Sequence, residues 1–220
     1  MKIITIDGPA GSGKSTIAKV LATKLGYSYI DSGSLYRAFA YWVLKKNGEI
    51  KDVDIKDFKL KYSWESGRAK LVLDEEDISE KIRVEEISKQ ASIFAADKIV
   101  REVITKMQRE IAAQNNVVLE GRDAGTVVFP NAERKFYLTA SLKERAFRRG
   151  NEIKNKIKKS GEVEIAKMLD YEKIKQDIKE RDYQDENREF SPLKKPEDAY
   201  ELDTTGMAID LVVKILMEKI

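Results

Sequence analysis

The sequence predicts an α/β fold: a five-stranded, mostly parallel sheet flanked by helices, with a small β-rich insert and a helical lid. Three observations lead there. Short apolar runs alternate with stretches of helical periodicity along most of the 220 residues. Between about 48 and 83 that rhythm gives way to alternating, turn-punctuated sequence. From Glu144 to Arg188 the chain is dense in charge.

Taken in order, Lys2 to Asp7 is an apolar run closed by Gly8, a strand. From Ser15 onward Ile17, Val20, Leu21 and Leu25 recur at helical spacing until Gly26, which reads as a helix stop. Tyr27 to Ile30 is a second short strand, and Leu35, Phe39, Trp42 and Val43 mark one face of a helix from about 35 to 46. Within the insert, YSWESGRAKLVL alternates and turns at Ser66-Gly67. Helices are expected over 84–96 and 98–114, with Asp97 as the N-cap between them. Val117 to Leu119 is a buried strand, 135–139 a fourth, and Tyr200 to Leu202 a fifth. Ser141 and Glu144 form a capping box, while Thr205 is expected to cap a last helix through Ile209, Val212, Val213 and Leu216. Lys154 to Ser160 is expected to be mobile, and Trp42 and Trp64 to serve packing.

Composition removes whole classes of chemistry. The chain has no cysteine and no histidine, hence no disulfide, no thiolate zinc site, no imidazole base and no serine–histidine hydrolase triad. Its net charge of +3, from 41 basic and 38 acidic residues, is too balanced for a chain devoted to a nucleic-acid backbone. No apolar run approaches the ~20 residues of a membrane span, and no signal peptide develops before Asp7, so a cytoplasmic place is expected. Only 12 of the 41 basic residues are arginine. Lysine is the default solvating cation here, which makes each planar, bidentate guanidinium worth a question.

The strongest signal is Gly8-Pro9-Ala10-Gly11-Ser12-Gly13-Lys14-Ser15-Thr16, a match to GxxxxGK[ST] between a predicted strand and a predicted helix. Glycines let successive backbone N–H groups converge on one anion at the positive end of a helix. In such a P-loop Lys14 reaches the β- and γ-phosphates of ATP and Ser15 ligates Mg2+. The P-loop alone does not choose among kinases, switches and motors. Two further clusters do. Asp31 to Arg37 and Glu120 to Thr126 each follow a predicted strand and so share the P-loop's rim. Arg145, Arg148 and Arg149 lie on one helix, and Arg181, Asp185 and Arg188 share a helical face at spacings of four and three.

The stretches TIDGPAGSGKST, DSGSLYR, ASIFAADKIVRE, EGRDAGTVVFP, ERAFRR and IKERDYQDENR, in this order over essentially the whole chain, resemble the bacterial-type cytidylate kinases among the P-loop nucleoside monophosphate kinases. The resemblance implies a core over 1–31, 98–147 and 182–220, a monophosphate-binding domain over 32–97 with its insert, and a lid over 148–181. It also implies transfer of the γ-phosphoryl of ATP to CMP or dCMP, with Mg2+ as cofactor, in a monomer without nucleic-acid or membrane partners. Position by position, Ser32, Arg37, Ser92, Arg101, Arg122, Asp123, Arg181, Asp185 and Arg188 would line the CMP pocket. Asp123, Ser92 and Arg101 suit the cytosine edge; Arg37, Arg122 and Arg188 the α-phosphate; Arg181 and Asp185 the ribose. In the wider kinase family Arg145 would stack on adenine and Arg149 reach the phosphates. Lys14, Arg122, Arg149, Arg181 and Arg188 would act on the transferred group. Another small-molecule kinase, of uridylate or shikimate type, and an ATP-binding sensor are the alternatives.

Overall fold

The computed structural model describes residues 1–46, 48–65, 68–159 and 170–220. Its main sheet has five parallel strands: β1 (Ile3–Asp7), β2 (Ser28–Asp31), β6 (Val117–Glu120), β7 (Arg134–Thr139) and β8 (Tyr200–Asp203). Their order is β2-β6-β1-β7-β8. Alternation along β6 decides which core each residue joins. Val118 packs with Ile4, Ile6, Phe136 and Leu138 against α1 (Lys14–Leu25) and α7 (Ile209–Met217). Val117 and Leu119 face the other way, onto Ile30 and Ala112 at the end of α4 (Lys98–Ala112). The central strands β1 and β6 are therefore buried on both faces, as parallel sheets require, while β8 is a mostly exposed edge.

A second core lies beside this sheet. It joins α2 (Ser32–Lys45), α3 (Glu85–Phe94), part of α4 and an antiparallel sheet of β3 (Leu60–Glu65), β4 (Arg68–Leu73) and β5 (Glu76–Asp77). At its centre Phe39 meets Phe58 and Phe94 edge-on, with ring centroids 5.2 and 6.0 Å away, and Trp42 closes on Phe58 at 5.4 Å. The insert also has a task in the main sheet. Tyr62 Oη and Trp64 Nε1 both donate to the carbonyl of Tyr29, at 3.2 and 2.9 Å, on the outer edge of β2. An edge carbonyl that would otherwise offer itself to another strand is thus covered.

Several local expectations are met and some are corrected. Asp97 caps α4, its carboxylate accepting the N–H groups of Ile99 and Val100. Asp31 caps α2, which begins at Ser32, earlier than its apolar face indicates. Thr205 does not cap α7: that helix starts at Ile209 after Ala208, and the Thr205 hydroxyl instead accepts from the N–H of Ser141 and donates to Asp203. Of the stretch expected to be mobile, Lys154 to Lys159 continues α5 (Leu142–Lys159), and Ser160 lies outside the described residues. The expected turn at Ser66-Gly67 also lies outside them. A further helix, α6 (Tyr171–Asn187), packs along α5.

Candidate functional site

The site lies along the carboxyl ends of the parallel strands, where β1, β2 and β6 feed their following loops. After β1 the chain turns through Gly8, Gly11 and Gly13, all at positive φ, and enters α1. At the first of these there is no room for a side chain: a Cβ on Gly8 would stand 2.0 Å from the Leu138 carbonyl. Turning N–H groups inward turns carbonyls outward, and these need donors. Arg145 Nη1 donates to the Ala10 carbonyl at 3.1 Å. The Ser12 carbonyl receives Arg148 Nη1 at 3.2 Å and Thr204 Oγ1 at 3.3 Å. Arg148 was not among the expected site residues; its proximity to the loop depends on how α5 docks, which its spacing does not encode.

Lys14 is 4% exposed, and its ammonium folds back to Pro9 O at 2.7 Å and Ser12 Oγ at 3.3 Å. Burial, then the nearby Arg122 guanidinium, pushes its pKa down to about 7. Ser15 and Thr16 are exposed on the first turn of α1, and the Ser15 hydroxyl donates to Glu120 Oε1 at 2.9 Å. Glu120, 5% exposed at the end of β6, has its pKa raised by burial and by Asp31. This oxygen-only donor set suits Mg2+, which takes one or two protein oxygens together with phosphate and water. Among the described residues no three acidic groups form a cage of their own.

Opposite the loop, guanidinium and carboxylate alternate. Arg101 binds Asp123; both side chains are within 5% of full burial. Arg188 reaches Asp123 Oδ1 at 3.6 Å and Asp185 Oδ1 at 3.3 Å, and Arg122 Nε donates to Asp185 Oδ2 at 2.8 Å. Burial opposes the charge on Asp185, but Arg122, Arg181 and Arg188 outweigh it and leave its pKa below the usual carboxylate range. Arg181 is solvent-accessible and, among the described residues, has neither hydrogen bond nor ion pair. Its place in the cleft and then the Arg122 charge press its pKa down to about 10. Arg37 pairs with Asp31 at 2.8 Å, beside buried Ser32.

Among the described residues, four buried donors in this cluster find no hydrogen-bond acceptor: Arg37 Nε, Arg101 Nε, Arg188 Nη2 and the hydroxyl of Tyr36. The Tyr36 ring lies 5.4 Å from the Arg101 guanidinium, and burial followed by Asp123 raises its pKa. Leaving such donors unpaired costs about 1–3 kcal/mol each, so the cluster is poised to gain from an acceptor-rich molecule. Tyr36 sits inside the DSGSLYR stretch but reads there as a core aromatic. Two expected residues are less well gathered. Ser92 on α3 donates back to Ser88 O at 3.2 Å, and Arg149 pairs with Glu152 at 2.9 Å with 39% of its side chain exposed. A groove of about 560 Å³ runs along α4 and is lined also by Val127 and Phe190; it shares Arg101 with the cluster.

Comparison with known proteins agrees in kind. The profile of a family described as Cytidylate kinase matches residues 4–220. A cytidylate kinase of Fusobacterium nucleatum is 43% identical over 99% of this chain and 96% of its own. Another, from Caldanaerobacter subterraneus, is 46% identical over 99% of this chain and 93% of its own.

Proposed function

The chain belongs to the cytidylate kinase family, and on that premise we propose how its residues divide the work of one phosphoryl transfer. It is an ATP-dependent nucleoside monophosphate kinase, converting ATP and CMP or dCMP into ADP and CDP or dCDP. Residues 8–16 hold the ATP phosphates, with Lys14 against the β- and γ-groups. Ser15, hydrogen-bonded to Glu120, would hold Mg2+, which would supply positive charge against the phosphates. The plane of Arg145 offers a face to adenine while its edges stay on the loop, and Arg149 swings from Glu152 towards the phosphates.

On the acceptor side, Asp123, Arg101 and Ser92 take the cytosine edge, whose exocyclic amine donates beside two acceptors. A uracil there would set an acceptor against Asp123, at a cost of roughly 1–3 kcal/mol. Ser32, Arg37, Arg122 and Arg188 take the α-phosphate, and Arg181 and Asp185 the ribose. The attacking oxygen is already anionic, so no general base is needed and the absence of histidine is no handicap. What must be overcome is repulsion between two polyanions brought into line. Lys14 and the arginines do this electrostatically, and closure of the lid expected over 148–181, of which 160–169 lie outside the described residues, excludes water from the transfer.

The alternating Arg–Asp chain, with its unpaired buried donors, is the observation that carries this reading. We propose that the enzyme works as a monomer of the cytoplasm with no nucleic-acid or membrane partner; the near-balanced charge speaks against a nucleic-acid backbone, and among the described residues no helix is long and apolar enough to cross a membrane. The test is a coupled assay of ADP release with CMP, dCMP, UMP, AMP and no acceptor. Turnover is expected with the two cytidylates; equal rates with UMP, or none above the acceptor-free rate, would reject the assignment.

A further inference from the structure

Asp182 has no part in the division of work above. It lies on α6 directly after Arg181 and is 8% exposed. Its Oδ1 accepts the N–H of Ala10 at 2.9 Å, and its Oδ2 pairs with Nη1 of Arg145. That same Nη1 donates to the Ala10 carbonyl at 3.1 Å, while Arg145 Nε is tied to Ala140 O at 3.0 Å. One carboxylate and one guanidinium, from two different helices, therefore hold both polar groups of a single residue in the phosphate loop.

We infer that Asp182 is a positioning residue that fixes the loop at Ala10 and sets the register of α6 against it. The geometry leaves little slack. A Cβ on Gly11 would meet the Arg145 carbonyl at 3.0 Å, so the loop cannot retreat without displacing α5. With the Ala10 N–H committed to Asp182 and the Ser12 N–H donating to Pro9 O at 3.4 Å, the anion is left to the remaining N–H groups of the loop. Arg181, next to Asp182, and Asp185, one turn on, belong to the acceptor cluster. A helix pinned to the donor loop by Asp182 thus carries acceptor groups at a set distance from it.

The inference rests on reading residues 8–16 as the ATP site, and the experiment separates the two. A non-hydrolysable ATP analogue is titrated calorimetrically, without acceptor, into wild type, Asp182→Ala, Asp182→Asn, Arg145→Ala and the double alanine variant. Loss of a charged acceptor at the loop should weaken the analogue about 10-fold in Asp182→Ala. Asp182→Asn, which still offers an oxygen to Ala10, should keep most of the affinity, and the double variant, in which Arg145 also loses its face to adenine, should lose less than the sum of the two single losses. Unchanged binding in Asp182→Ala, equal losses in the asparagine and alanine variants, or strictly additive losses would each overturn the inference. Should Asp182→Ala not fold, Arg145→Lys decides, titrated with inorganic triphosphate so that stacking on adenine plays no part: about 3-fold weaker binding is expected because one ammonium cannot span Ala10 and Asp182 as the fork does, and unchanged binding overturns it. A wild type that ignores the analogue would overturn the reading of the loop itself, and this inference with it.

Discussion

Lys14 is enclosed at the foot of α1, and among the described residues its ammonium hydrogen-bonds only Pro9 O and Ser12 Oγ. With its pKa near 7, much of it is uncharged in mildly alkaline solution until a phosphate arrives to favour the ammonium. Binding of ATP should therefore take up protons above about pH 7 and cease to do so well below it. Calorimetry in two buffers of different ionisation enthalpy at about pH 8 reads this directly; Lys14→Met should abolish the uptake, and its persistence there would assign the proton elsewhere. Arg188 bears the opposite test. It touches Asp123, Asp185 and Ser191 but not the loop, so Arg188→Ala should lower turnover by about 100-fold or more with little change in ATP affinity. A variant with undiminished turnover would remove it from the clamp. At this scale, single residues in recognisable stretches were legible: Arg122, Asp123, Asp185 and Arg188 do meet. Asp182 and Arg148 were not, because their partners lie 172 and 136 residues away and nothing in local spacing encodes how α5 and α6 dock.

Among the elements, strands and helices were legible where periodicity was strong, and their ends less so. The start of α2 is set by Asp31, whose carboxylate serves both Ser34 N–H and Arg37, a polar signal ahead of the first apolar residue. Thr205 is a good capping residue by type, yet its hydroxyl is spent on Asp203 and Ser141, a competition visible only once β8 and α5 are side by side. The insert could be read as β-rich, but not its attachment. Trp64, which sequence assigns only to packing, ties β3 to the β2 edge through its indole N–H. Trp64→Phe keeps the ring and loses the bond, which should cost about 1 kcal/mol and about 2–4 °C in melting temperature. Adding Tyr62→Phe removes the second donor to Tyr29 O and should cost more than the sum of the two changes, since the carbonyl loses both. Strict additivity in thermal melts would mean that Tyr29 O finds another donor and that the anchor is weaker than drawn.

The molecule as a whole places its acidic strand ends under one cleft, and Asp7 lies deepest. It is fully buried at the end of β1, its two oxygens accepting the N–H groups of Ala124 at 2.9 Å and Gly125 at 2.7 Å and so anchoring the loop that carries Arg122 and Asp123. Burial raises its pKa from 3.8 to about 7 against the pull of those two bonds. The folded state therefore holds this proton across a range where the unfolded chain releases it. In that interval the folded state binds more protons, so stability from this group is full below about pH 4 and is lost as pH rises through about 7, on the order of 4 kcal/mol in all. Lys14 acts in the reverse sense above that range: its folded pKa is depressed, so its contribution grows as pH climbs from about 7 towards 10.5. Asp7→Asn separates the two. The amide presents one acceptor and one donor to two N–H groups, so the variant should be less stable throughout, but without the proton linkage. Its deficit relative to wild type, from denaturant melts, should be largest at about pH 4 and shrink steadily up to about pH 7 as the folded wild type holds a proton that the unfolded chain has released. A deficit independent of pH would show that Asp7 is already charged in the folded protein and that its two N–H bonds outweigh its burial.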